Sequence, residues 1–223
     1  MLEGNRDKIL NRLKKAPQDY PPGQPCSVFM PDENMDREQM VEKFKTLLEA
    51  QTGVLHRVKD KDQALEALAK ILKEEGVTQA LASTDEAVAD LDLPAWGKGK
   101  GFEITTQKDY SSRDDFKKAA FETVQAGITG ADYGFSETGT LCLLARKDMP
   151  RLTSLAPIFH IAVLPLDRLK PTYEHMVREV FKGDAPPSQT IFITGPSMTA
   201  DIQATPFKGM HGPQKLFVIL RES

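Results

Sequence analysis

The run Ile158-Phe159-His160-Ile161-Ala162-Val163-Leu164 is apolar at every position but His160. It shows no alternation between a wet and a dry face, so it reads as a central strand covered on both sides. Leu141-Cys142-Leu143-Leu144-Ala145 repeats that pattern, and Thr190 to Thr194 and Leu216 to Leu220 supply further late strands. Upstream, Arg37 to Ala50 and Asp62 to Glu75 have helical spacing, with Gly76 as a stop for the second. Val54 to Val58, Gln79 to Ala82 and Phe102 to Thr105 read as short strands between them. Ser112 to Gln125 predicts a helix that buries Phe116, Ala119, Ala120 and Val124, and Pro171 opens another reaching Phe181. Alternating helices and strands predict an α/β fold: a mixed, largely parallel sheet with flanking helices.

Ahead of this pattern, Leu2, Ile9, Leu10 and Leu13 recur at helical spacing among charged residues, and Pro17 to Pro31 holds five prolines. Prolines at that density block regular hydrogen bonding. The expected organisation is therefore an N-terminal helix and Pro-rich arm over 1–33 and one α/β domain over 34–223. The helix has an apolar stripe that suits packing either on its own domain or on a partner.

Composition removes several function classes. The 223 residues carry a net charge of −3, which argues against a polybasic nucleic-acid surface. Met1 to Lys15 is too charged for a signal-peptide core, and no run reaches the ~18 apolar residues of a membrane span, so a cytoplasmic protein without a transmembrane segment is expected. The two cysteines, Cys26 and Cys142, lie in unrelated contexts, whereas an iron–sulfur cluster takes about four thiolates. No cofactor is expected in this chain. His56, His160 and His175 read as core or surface residues, and no histidine or cysteine pair has metal-ligand spacing, so no metal site is expected.

Two polar loops remain for chemistry. In Gly130-Ala131-Asp132-Tyr133-Gly134-Phe135-Ser136-Glu137-Thr138-Gly139-Thr140, the glycines permit tight turns, and Ser136, Thr138 and Thr140 can donate to phosphate or carboxylate oxygens. The loop has neither the lysine of a P-loop nor a dinucleotide fingerprint. Glu137 can hold a cation, orient a hydroxyl, act as a base or attack an acyl group; it can equally cap a helix or pair with Arg146 or Arg151. Asp132 has the same range of roles. The second loop, Thr194-Gly195-Pro196-Ser197-Met198-Thr199-Ala200-Asp201-Ile202, follows an apolar strand. There Ser197 or Thr199 can contact an anion or cap a short following helix, and Asp201 can bind a ligand or a backbone group. His211, in Lys208-Gly209-Met210-His211-Gly212-Pro213, is the histidine best suited to proton transfer. Glu137 and His211 are thus the catalytic candidates. Asp132, Ser136, Thr138, Gly139, Thr140, Gly195, Ser197, Thr199, Asp201 and Gly212 are the ligand-binding candidates. The 136–140 loop, the 195–201 loop and His211 are expected to converge on one concave site.

With these segments and Pro157 to Pro165, the chain resembles the LUD-domain family in its lactate-utilisation protein C branch, from about Arg37 to Leu220. The resemblance implies a fold like that of the sugar-isomerase and CoA-transferase superfamily. It implies participation with two iron–sulfur partner proteins in the oxidation of L-lactate to pyruvate. It also implies functional loops at Glu137, Thr138 and Gly139 and at Ser197, Asp201, His211 and Gly212. Gln203 departs from the glutamate common in that family, and residue 198 varies and is Met here. Two function classes follow: a cluster-free accessory subunit that binds a small anion or carboxylate, and an independent transferase or isomerase using Glu137 or His211 on a carboxylated or phosphorylated metabolite. Turnover by the chain without partners distinguishes them.

Overall fold

In the 158–164 run, Ile161 and Val163 project to one side of the strand and Ala162 and Leu164 to the other, and all four are fully buried. A computed structural model describes residues 3–16, 35–181, 187–200, 206–209 and 211–223. Its strands are β1 (Val54–Val58), β2 (Gln79–Ala82), β3 (Glu103–Thr106), β4 (Ala126–Gly130), β5 (Tyr133–Phe135), β6 (Thr140–Leu144), β7 (Phe159–Pro165), β8 (Leu169–Lys170), β9 (Thr190–Ile193), β10 (Met198–Ala200), β11 (Pro206–Lys208) and β12 (Lys215–Arg221). Its helices are α1 (Glu3–Lys15), α2 (Arg37–Ala50), α3 (Lys61–Glu74), α4 (Glu86–Ala89), α5 (Leu93–Lys100), α6 (Arg113–Lys118), α7 (Arg151–Leu155) and α8 (Tyr173–Val180). Among the described residues, no helix is long and apolar enough to cross a membrane.

Six strands form a parallel sheet in the order β1-β12-β7-β4-β2-β3. Ile161 and Val163, with Phe217 and Ile219 of β12, pack against Leu68, Ile71 and Leu72 of α3. On the opposite face Ala162 and Leu164, with Leu216, Val218 and Leu220, meet Val41, Phe44 and Leu48 of α2. Each such Leu, Ile or Val contributes roughly 1.5–3 kcal/mol when fully buried, which is why these strands carry no polar face. The two covering helices begin at acidic caps. Asp36 and Gln39 exchange backbone-to-side-chain hydrogen bonds of 2.9 Å in a capping box, and Asp60 accepts from Gln63 N at 3.0 Å.

The expected fold class is present, with three local departures. Leu141–Ala145 does form a buried strand, but β6 belongs to a separate four-stranded sheet, β8-β5-β6-β9, in which its neighbours are antiparallel. An apolar run reports burial on both faces and not the sheet that supplies it. The helix expected over Ser112–Gln125 is α6 followed by a π-helical turn at Ala119–Thr123. Ser197 leads into β10, antiparallel to β11, and caps no helix. The N-terminal helix is present as α1, with Ile9, Leu10 and Leu13 exposed; the Pro-rich arm falls outside the described residues.

Gly127-Ile128-Thr129-Gly130, a glycine-flanked segment in the sequence, is the fully buried interior of β4. The first glycine has a packing cause: a Cβ at Gly127 would lie 1.7 Å from the carbonyl oxygen of Thr153 in α7. Helix and sheet backbones touch there. Gly127→Ala should therefore lower stability by about 3 kcal/mol, the upper part of the overpacking range, read as a reduced urea midpoint. An unchanged midpoint would contradict the close approach.

Candidate functional site

β7 and β12 begin side by side, with His160 opposite Leu216 in the ladder. Beside their N-terminal ends lies an open cleft of about 220 Å³. α7 supplies Ser154 and Leu155 to one wall, β9 and its following turn supply Ile191 to Gly195, and Ser197, His211, Gly212 and Pro213 complete the rim. Backbone bonds hold these late loops together. Ser197 N–H donates to Pro213 O at 2.8 Å, Gly209 N–H to Ser197 O at 2.9 Å, and Gln214 N–H to Ile158 O at 2.7 Å.

His160 stands at the inner end of the cleft. Its Nε2 is 2.9 Å from Thr129 Oγ1 on β4, whereas its Nδ1 has no hydrogen-bond partner among the described residues. Burial pushes its pKa down to about 4, so the ring is neutral at pH 7. An unsatisfied buried polar atom costs about 1–3 kcal/mol, which makes this ring a standing demand for a partner. Among the described residues, no Asp, Glu, Lys or Arg lines the cleft. What the cleft offers is hydroxyls from Ser154, Thr194 and Ser197, two imidazoles and an apolar wall, a set that binds small polar molecules by hydrogen bonding without ion pairing. Among the described residues, no three His, Cys, Asp or Glu side chains gather as a metal site.

The structure unites some of the sequence candidates and disperses others. Gly195, Ser197, His211 and Gly212 line the cleft together. Thr140 stands one bond away, its Oγ1 3.0 Å from that of Thr194. The rest of the first loop turns elsewhere. Glu137 Oε1 accepts from Tyr173 N–H at 2.9 Å and so caps the start of α8. Thr138 is exposed on the turn, and Ser136 is buried with its Oγ unpartnered among the described residues. Gly139 adopts φ +67, and a Cβ there would sit 2.5 Å from Leu48 N of α2. Asp132 accepts from Leu144 N–H and from Arg146 Nη1, each at 2.7 Å, which fixes the neighbouring β6 end. Thr199 lies in β10 opposite Phe207, and Asp201 falls outside the described residues. Convergence thus holds for the 195–197 segment and residues 211–212, and not for 136–139.

Sequence reasoning placed His160 in the core and passed over Ser154. The core placement is right as to burial, but His160 also lines the cleft. The available signal was a lone imidazole in an otherwise apolar strand, where its desolvation needs compensation. Ser154 offers no comparable signal: its Oγ donates to Arg151 O at 3.1 Å inside a short helix.

Because the folded His160 stays neutral while an unfolded histidine protonates near 6.5, the unfolded chain binds one extra proton between about 6.5 and about 4. Stability should fall as pH drops through that window, by about 1.4 kcal/mol per pH unit from this residue. His160→Gln should remove that one-proton slope from urea unfolding measured against pH. Parallel profiles for the two proteins would contradict the neutral buried ring.

The LUD domain profile matches residues 41–220. Lactate utilization protein C of Halalkalibacterium halodurans is 30% identical over 165 residues, covering 72% of this chain and 70% of that protein. Lactate utilization protein C of Bacillus subtilis is 36% identical over 111 residues, covering 48% of this chain and 45% of that one, so the second match spans less than half the length of its relative. Among solved structures, a DUF162 family protein from Deinococcus radiodurans superposes with a TM-score of 0.59 at 22% identity, over 84% of this chain and 99% of that one; the likeness is one of fold. The matched span takes in the six-stranded sheet but for the last residue of β12, the two smaller sheets and the residues that line the cleft: this chain belongs to the LUD domain family.

Proposed function

We propose that this chain takes part in the oxidation of L-lactate to pyruvate as a cluster-free accessory subunit of an assembly whose redox cofactors belong to two iron–sulfur partner proteins. The observation that carries the reading is its similarity to relatives named lactate utilization protein C, over 72% of this chain in one and 48% in another. The oxidation removes two electrons and two protons from lactate, and the electrons need an acceptor. This sequence has two cysteines, against the about four thiolates of a cluster. One of them, Cys142, is buried in the second sheet with its thiol pushed up to about 12 by desolvation, so it is a core side chain and not a thiolate ligand. Electron transfer therefore runs through the partners, and the small hydrogen-bonding cleft serves a small carboxylate.

The test is reconstitution of lactate-dependent electron transfer from purified components, with this chain included and omitted. Omission should lower the rate at least about tenfold, corresponding to about 1.4 kcal/mol. Unchanged assembly and activity on omission would overturn the accessory role. Lactate oxidation by the isolated chain at the full assembly's rate would overturn it in favour of independent catalysis.

A further inference from the structure

We infer that the cleft beside the N-terminal ends of β7 and β12 is a binding site for a short monoanionic 2-hydroxy acid, with the substrate hydroxyl on His160 Nδ1 and its carboxylate toward Ser197 and His211. This rests on the lactate reading above for the choice of acid, and on the cleft itself for the chemistry.

Four buried side-chain polar atoms lack a partner among the described residues: Ser136 Oγ, Thr153 Oγ1, His160 Nδ1 and Glu174 Oε2. Of their residues only His160 lines the cleft. Thr129 Oγ1 occupies the other ring nitrogen, so a ligand finds one free position on the imidazole. Which tautomer the ring takes depends on whether the threonine hydroxyl donates or accepts. A hydroxyl answers either case, because it both donates and accepts, whereas a carboxylate answers only a protonated Nδ1.

Charge settles the rest of the ligand. Among the described residues the lining carries no fixed cation, so a dianion such as phosphate would lose its hydration there without compensation. A single carboxylate escapes that cost at the open mouth, where His211 is exposed and Ser197 is partly so. The inner walls, Ile191, Ile193 and Leu216, accept a short aliphatic group. At about 220 Å³ the cleft lies below the ~300–1,000 Å³ of drug-sized pockets, which restricts the ligand to a few heavy atoms.

The experiment is a titration of the full chain, with its histidine rings labelled with nitrogen-15, by L-lactate, propionate and inorganic phosphate, following the ring resonances and the dissociation constants. L-Lactate should move the His160 ring signals saturably. Propionate, which lacks only the hydroxyl, should bind at least about tenfold more weakly, and phosphate should leave His160 unmoved. No variant is needed, so misfolding cannot confuse the outcome. Lactate that leaves His160 unmoved, propionate that binds as tightly as lactate, or saturable phosphate binding at His160 would each overturn the assignment. The functional reading is judged separately: if omission of the chain stops electron transfer while His160 ignores lactate, the site assignment falls and the accessory role stands. If His160 responds to lactate while omission changes nothing, the reverse holds.

Discussion

The parallel pairing of β7 between β12 and β4 is the constraint from which the rest of the architecture follows. A strand hydrogen-bonded on both edges and buried on both faces must be apolar throughout, and each crossover to a parallel neighbour must travel over the sheet. α3 runs over one face and α2 over the other, so that two separate apolar clusters meet at the same strand. The same pairing aligns the starts of β7 and β12, bringing the 211–213 turn beside α7 and the end of β9. The cleft is thus a product of strand register.

Within that frame, one polar residue breaks the apolar rule. His160 occupies the same strand face as Ala162 and Leu164, yet among the described residues only one of its nitrogens has a partner, Thr129. A Leu at this position would remove that cost but take the His160 partner from the buried Thr129 hydroxyl. The orphan atom is a form of stored instability that a ligand relieves, the usual relation between a strained or unsatisfied group and a functional site. The first polar loop, away from the cleft, serves geometry: Asp132 and Glu137 spend their carboxylates on backbone N–H groups of β6 and α8.

Much of the fold was legible in the sequence. The segments with strong periodicity or unbroken apolarity, α2, α3, β2, β7 and β12, lie within a residue or two of where their patterns put them. β4 was passed over because Gly130 read as part of a turn-forming loop and glycines interrupt its apolar pattern; Gly127 in fact admits the α7 backbone. The candidate site was half legible. Gly195, Ser197, His211 and Gly212 line one cleft, as their composition suggested, whereas the 136–139 segment stands away from it: a glycine- and hydroxyl-rich turn looks alike in sequence whether it holds an anion or a helix end. Glu137 shows the ambiguity: its carboxylate accepts an amide N–H, the bond a ligand site would also use. His160 was hidden for the opposite reason, since a one-dimensional pattern shows burial but not which neighbouring atoms go unpaired.

The most direct measurement of the central claim is a crystal structure of the chain grown with L-lactate. Density is expected in the cleft, with the ligand hydroxyl within hydrogen-bond distance of His160 Nδ1 and its carboxylate at Ser197 and His211. Lactate bound instead at the 136–140 turn, with the cleft empty and His160 Nδ1 still unpartnered, would contradict it.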